Sequence, residues 1–195
     1  MSYLESHKNT HATSGNDRLL AKDINVKEMW LPSASAAETL PRDNITTASS
    51  AITAGSLFAR RIQLDKATYS TVTYAIGSIQ GVTMTNTFFG IYDTSYNLLA
   101  SSADLSTSMA AVGAFSTGTA TLNYTTANAG DYFLALLVGG AATLPTFATG
   151  PTAHQAVLGL SPNLISRSTA TNLTALPNPG VMNASIGLNI WLRYA

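Results

Sequence analysis

His7 and His11 are the first residues whose type and spacing could do chemistry. Four positions apart, they would share a face of a helix and could hold a metal ion, or ring the axis of a symmetric trimer. No carboxylate or cysteine joins them at ligand spacing, and their neighbours are poor helix formers. The competing reading is an arm that hydrogen-bonds to a neighbouring protein.

Carboxylates come next. Cleaving a glycosidic bond takes two of them flanking the bond. Beyond residue 45 the chain offers Asp65, Asp93, Asp104 and Asp131. Asp93 and Asp131 stand in turn sequences, where Asp is favoured for backbone hydrogen bonding, and Asp104 lies in a polar stretch. The sequence contains no Gly-x-Ser-x-Gly elbow, P-loop or dinucleotide fingerprint. It has no cysteine, hence no thiol nucleophile, disulfide or Cys-ligated zinc. The expectation is a protein with no catalytic activity and no cofactor.

Aromatic rings could build a sugar-stacking platform. Tyr69, Tyr74, Tyr92, Tyr124, Trp191 and Tyr194 alternate within strand-like runs and read as core or subunit interface. Tyr96, in the turn Asp93-Thr94-Ser95-Tyr96-Asn97, is the candidate for an exposed glycan-binding ring.

The elements that must position these residues are organised around Gly118 to Gly140. Ala120, Leu122 and Tyr124 share one face of a first run, and Thr119, Thr121 and Asn123 the other, the period of two of a half-buried strand. The second run, Asp131 to Val138, is apolar on both faces, with Tyr132, Leu134, Leu136 and Val138 against Phe133, Ala135 and Leu137. Such a strand sits mid-sheet with a cover on each side. A sandwich supplies one cover. Phe133, Ala135 and Leu137 are therefore expected at an oligomer interface, with an intrachain loop from residues 141–183 as the alternative cover.

Further strands are expected at Leu57 to Leu64, Thr68 to Ile76, Thr83 to Tyr92 and Leu98 to Ser101, and at the closing alternation Ile186 to Tyr194. Short strands separated by turns predict an all-β, antiparallel, jelly-roll-like β-sandwich over residues 46–195. Charge marks the boundary. Of ten basic and ten acidic residues, eleven fall in residues 1–43, which show little periodicity. Residues 1–45 read as an extended N-terminal attachment arm, of which 1–28 gain order from a partner.

Charged residues are only 10% of the chain, against roughly 25% in ordinary soluble domains. So weakly charged a surface suits a protein within an assembly or outside cells. Net charge is zero, which argues against nucleic acid as a partner. No apolar run nears the ~20 residues of a membrane span. No signal-peptide h-region is visible at the N-terminus.

Two stretches resemble a known group. Ser6-His7-Lys8-Asn9-Thr10-His11-Ala12-Thr13-Ser14-Gly15-Asn16-Asp17 resembles the Ser-His-x-x-x-His-x-x-x-Gly-x-Asp arm of tailed-bacteriophage virion proteins, with Ser14 in place of the usual first Gly. Phe89-Gly90-Ile91-Tyr92-Asp93, Asn97 to Asp104, and Ala129 to Leu137 are similar to a β domain of minor tail, fibre and head-decoration proteins, chiefly of phages of actinobacteria. The resemblance covers about a third of the chain. It implies a virion structural protein, a homotrimer attached to capsid or tail through residues 1–28. The alternatives are a tail-fibre adhesin for a host-surface glycan and a secreted carbohydrate-binding module.

Overall fold

The turn Asp93 to Asn97 is the tip about which the antiparallel strand pairs of the fold are nested. The Asp93 carboxylate accepts hydrogen bonds from Ser95 N (2.9 Å), Asn97 N (2.9 Å) and Asn97 Nδ2 (2.8 Å), closing the turn with the side chain that tolerates it best. Burial alone would raise this carboxyl; the bonds from Asn97 and Ser95 outweigh it and hold it below its ordinary value. The turn joins β5 (Thr85–Tyr92) to β6 (Leu98–Ser101), with the boundaries expected for the turn and the returning strand.

In this computed structural model, which describes residues 36–40, 45–150, 165–184 and 189–195, successive pairs enclose that hairpin. β4 (Thr68–Ala75) pairs with β7 (Thr117–Thr125), and β3 (Leu57–Leu64) with β8 (Gly130–Gly140). Outside them β2 (Thr46–Ala51) pairs with β9 (Thr146–Thr149), and β1 (Ala37–Glu38) with β12 (Leu192–Tyr194). All pairs are antiparallel: the chain is a long two-stranded ribbon folded on its own tip. Winding that ribbon gives one sheet of order β1-β12-β4-β7. The facing sheet has order β3-β8-β5-β6, extended past β3 by β10 (Ile165–Ser168) and β11 (Met182–Ala184). This is an antiparallel jelly-roll sandwich. A short helix, α1 (Ser106–Ala110), links β6 to β7.

Contacts divide the chain into residues 1–34 and 35–195, and the described residues belong to the second unit. That unit starts earlier than the boundary expected near residue 45. Ala37 and Glu38 pair with Tyr194 and Arg193, and Thr39 locks the junction. Its buried Oγ1 donates to Ile190 O (2.9 Å) and accepts from Leu192 N (2.8 Å).

Alternation sorts the strands' side chains. On β8, Leu134, Leu136 and Val138 face the opposite sheet with Phe58, Ile62, Val72, Tyr74, Phe89, Ile91, Leu122 and Leu192. Each such side chain contributes about 1.5–3 kcal/mol on burial. Tyr69 and Tyr194 stack at 5.1 Å, and the Tyr194 hydroxyl donates to Leu122 O (2.8 Å).

The other face of β8 corrects an expectation. Phe133, Ala135 and Leu137 are 0% exposed within the single chain, so they offer no surface to a second copy. Residues 169–181, crossing from β10 to β11, lie over them with Leu173 and Leu176, joined by Tyr96, Leu98 and Met182. Backbone bonds pin the cover: Leu173 N donates to Gly55 O (2.9 Å) and Gly180 N to Tyr96 O (2.9 Å). The Tyr92 hydroxyl donates to Pro177 O (3.0 Å). Gly55, at φ +68, is required there: a Cβ would come within 2.4 Å of the Asn172 backbone.

Candidate functional site

Tyr96 is not the exposed platform its turn position suggested. It has φ +62, and its ring folds back onto the sheet. Its centroid lies 4.9 Å from that of Phe133, and its hydroxyl is 2.8 Å from Ser166 Oγ. The ring is half-buried and clamps the cover over β8 instead of facing solvent. His7 and His11 lie outside the described residues. Among the described residues no group of three His, Cys, Asp or Glu could hold a metal ion.

The aspartates stand in separate local roles. Asp131 pairs with Arg61 across β3 and β8 (3.1 Å). Asp104 accepts from Thr87 N (3.2 Å), Ser106 N (2.8 Å) and Ser106 Oγ, tying α1 to β5. Burial would raise its carboxyl, but the bonds from Ser106, Thr87 and Asn86 hold it below the ordinary value. Asp93 closes its turn. The Asp65 backbone N–H donates to the Tyr69 hydroxyl (2.9 Å), which donates in turn to Asp65 O (3.3 Å).

Arg60 is an inward-facing cation on β3, in register with Leu134 of the core. Its Nε donates to Thr39 O (3.1 Å), Nη1 has no hydrogen-bond partner among the described residues, and burial lowers the guanidinium to about 10. It lines a void of only about 10 Å³ with Phe58, Leu134, Leu136, Ile190 and Leu192, room for about one water.

A different place presents unsatisfied apolar surface. At the end of the sandwich where β4 leads to β5 and α1 to β7, Phe115 is 71% exposed, Val82 48% and Ile79 45%. Phe115 has φ +55, an uncommon conformation for a bulky residue that costs on the order of 1–3 kcal/mol. Neighbouring bonds hold it: Phe115 N to Gly77 O (2.8 Å), Ile76 N to Ser116 O (2.9 Å) and Gly77 N to Thr146 O (2.7 Å). Ile79 N donates to Thr146 Oγ1 (2.9 Å), and Gln80 Nε2 to Ala110 O (2.7 Å). Beneath the ring opens a cleft of about 200 Å³, lined by Ile45, Ala75, Ile76, Gly77, Phe115, Ser116, Thr117 and Ala148.

This cleft has no acid–base pair and no ligand set for a metal. It can accept an apolar group and offers two hydroxyls at its rim. Sequence reasoning missed it, although a lone Phe among Gly113, Ala114, Ser116 and Thr117 is a legible signal: a loop without other apolar residues gives such a ring nothing local to pack on.

No known family model matches the chain, and no curated protein matches it either.

Proposed function

We propose that the chain is a non-enzymatic structural protein of a tailed-bacteriophage virion, carried on capsid or tail, with residues 1–28 as its attachment arm. Its action is the burial of surface against other virion proteins, with no chemical step. The observation that carries this reading is the apolar cleft under Phe115, beside exposed Ile79 and Val82. Interfaces concentrate their affinity in aromatic anchors beside desolvated pockets. A jelly roll is a common scaffold for capsid and lectin domains, so the fold agrees with the reading but does not choose it. The Ser6 to Asp17 arm and the stretches Phe89 to Asp93, Asn97 to Asp104 and Ala129 to Leu137 add the phage resemblance.

The adhesin and carbohydrate-binding readings rank behind. A glycan site needs several convergent polar groups around its ring. The cleft sets Ser116 and Thr117 against Ile45, Ala75, Ile76, Phe115 and Ala148, which suits an apolar side chain better than a sugar.

Gold-labelled antibody against the purified chain tests the reading on particles of the virus whose genome encodes it. Label on heads or tails is expected, with label reduced for Phe115→Asp at an unchanged melting temperature. Unlabelled particles, or full incorporation of Phe115→Asp, would refute it.

A further inference from the structure

The two main sheets have four edges, and three are blunted. β1 is two residues long and β11 three. β6 is four residues long and has a register shift at Leu99, so that Tyr92 opposes Leu98 while Ile91 opposes Ala100. Short strands and bulges are the ordinary means of stopping edge-to-edge pairing. The fourth edge, β7, is nine residues, Thr117-Gly118-Thr119-Ala120-Thr121-Leu122-Asn123-Tyr124-Thr125, with no charge and no proline; it too has a register shift against β4, where Leu122 and Asn123 oppose Ser70, but it is more than twice the length of β6.

Its outward backbone groups can be identified. Thr71 N donates to Ala195 O (2.8 Å) and Ala195 N to Thr71 O (2.9 Å), so Thr71 bonds toward β12. Its partner in register on β7, Thr121, therefore stands in a non-hydrogen-bonded pair, with N–H and C=O directed away from the sheet. The bond from Ile76 N to Ser116 O sets the same phase at one end of β7, and that from Thr126 N to Ala67 O sets it at the other. Thr117, Thr119, Thr121, Asn123 and Thr125 thus direct their backbone groups to the free edge. Their side chains are exposed on the outer face, while Gly118, Ala120 and Leu122 are buried. No hydrogen bond among the described residues reaches that edge.

We propose that β7 is an interaction surface for a second copy of this chain, pairing antiparallel with the partner's β7 about a two-fold axis near Thr121. The strand is its own complement. Directly opposite residues project from the same face, so Thr121 meets Thr121, Thr119 meets Asn123 and Thr117 meets Thr125. Thr–Thr pairs are favourable across strands, and within the chain Thr68 Oγ1 already lies 3.0 Å from Thr125 Oγ1. With no charge on the strand, nothing repels the copy. The N-terminal stretch is a poorer occupant, because Glu5, Lys8, Asp17, Arg18, Lys22, Asp23, Lys27 and Glu28 would set charges against this uncharged edge.

Sedimentation equilibrium of the full chain, from about 1 to about 100 μM, reads the association. A monomer–dimer equilibrium is expected. Thr121→Lys sets two ammonium groups opposite one another and should weaken the dimer at least about tenfold. Thr121→Pro removes an outward N–H that β4 does not use and should do the same while the far-UV spectrum stays unchanged. Amide exchange adds a positional readout: Thr119 and Thr121 should become protected as concentration rises, with Ala120 constant. A monomer throughout the range, a dimer or trimer indifferent to both substitutions, or association lost on deleting residues 1–34 would each overturn the proposal.

Discussion

Replacing Phe133 by Ala tests whether the chain covers its own sheet. Phe133 is fully buried in the outer cluster, with Leu57, Ala59 and Tyr92 around it, Leu173 and Leu176 from the cover, and the Tyr96 ring at 4.9 Å. Removing a buried Phe side chain costs about 3–5 kcal/mol. The ring pair accounts for about 0.5–1.5 kcal/mol of that. Against a total stability of ~5–15 kcal/mol the domain should remain folded but marginal. Each kcal/mol is worth about 2–4 °C for a domain of this size, so the melting temperature should fall by roughly 6–20 °C. Urea unfolding at two protein concentrations about a hundredfold apart separates the two possible covers. With an intrachain cover, the difference between variant and wild type is the same at both. A cover supplied by a partner subunit would make that difference grow with concentration. A cost below about 1 kcal/mol, or one present only in the concentrated sample, would refute the reasoning.

Other perturbations have definite expected outcomes. Leu134→Asp puts an unpaired carboxylate between the sheets and should abolish folding; a variant with normal far-UV dichroism and melting would mean the central strand is wrongly understood. Thr39→Val strands the Leu192 N–H that Thr39 Oγ1 accepts, and should cost about 1–3 kcal/mol in urea unfolding. Burial raises Tyr74, Tyr92 and Tyr194 above the ordinary tyrosine value. The native state then keeps protons that the unfolded chain releases near pH 10, so stability is full below about pH 10 and falls above it. Arg60, lowered to about 10 by burial, works in the opposite direction over the same window but is outnumbered by the three tyrosines. Tyrosine absorbance and dichroism should therefore change together in alkaline titration, and ionisation of every tyrosine near pH 10 in a folded protein would contradict this. Deleting residues 1–28 should leave the melting temperature of the jelly roll unchanged by calorimetry, and a fall of more than a few degrees would mean that the arm contributes to its core.

What was legible in the sequence was whatever depends on neighbours in the chain. The alternation in Thr119 to Tyr124 and the turn residues Asp93 and Asn97 follow from a period of two and from local hydrogen bonding; both are found, with the strand longer at each end, Thr117–Thr125. β8 was legible as a strand needing two covers, because seven consecutive apolar residues leave no polar face. The source of the second cover was not. Residues 169–181 hold Leu173 and Leu176 among Ser, Thr, Asn and Pro, so their apolar content is too sparse for any periodicity to register. Tyr96 was misplaced for the same reason: a turn tip is exposed only if the turn points outward, and a positive φ that returns the ring to Phe133 is a tertiary fact. The β7 edge combines both cases. Its threonines were readable as the polar face of a half-buried strand. That they also mark the unpaired side follows only from the sheet order, and from Ala195 engaging Thr71 on the far side of β4. The two faces of β8 are covered within the chain, so an association of this fold does not run through them. Among the described residues, the β7 edge presents a row of outward backbone donors and acceptors from Thr117 to Thr125.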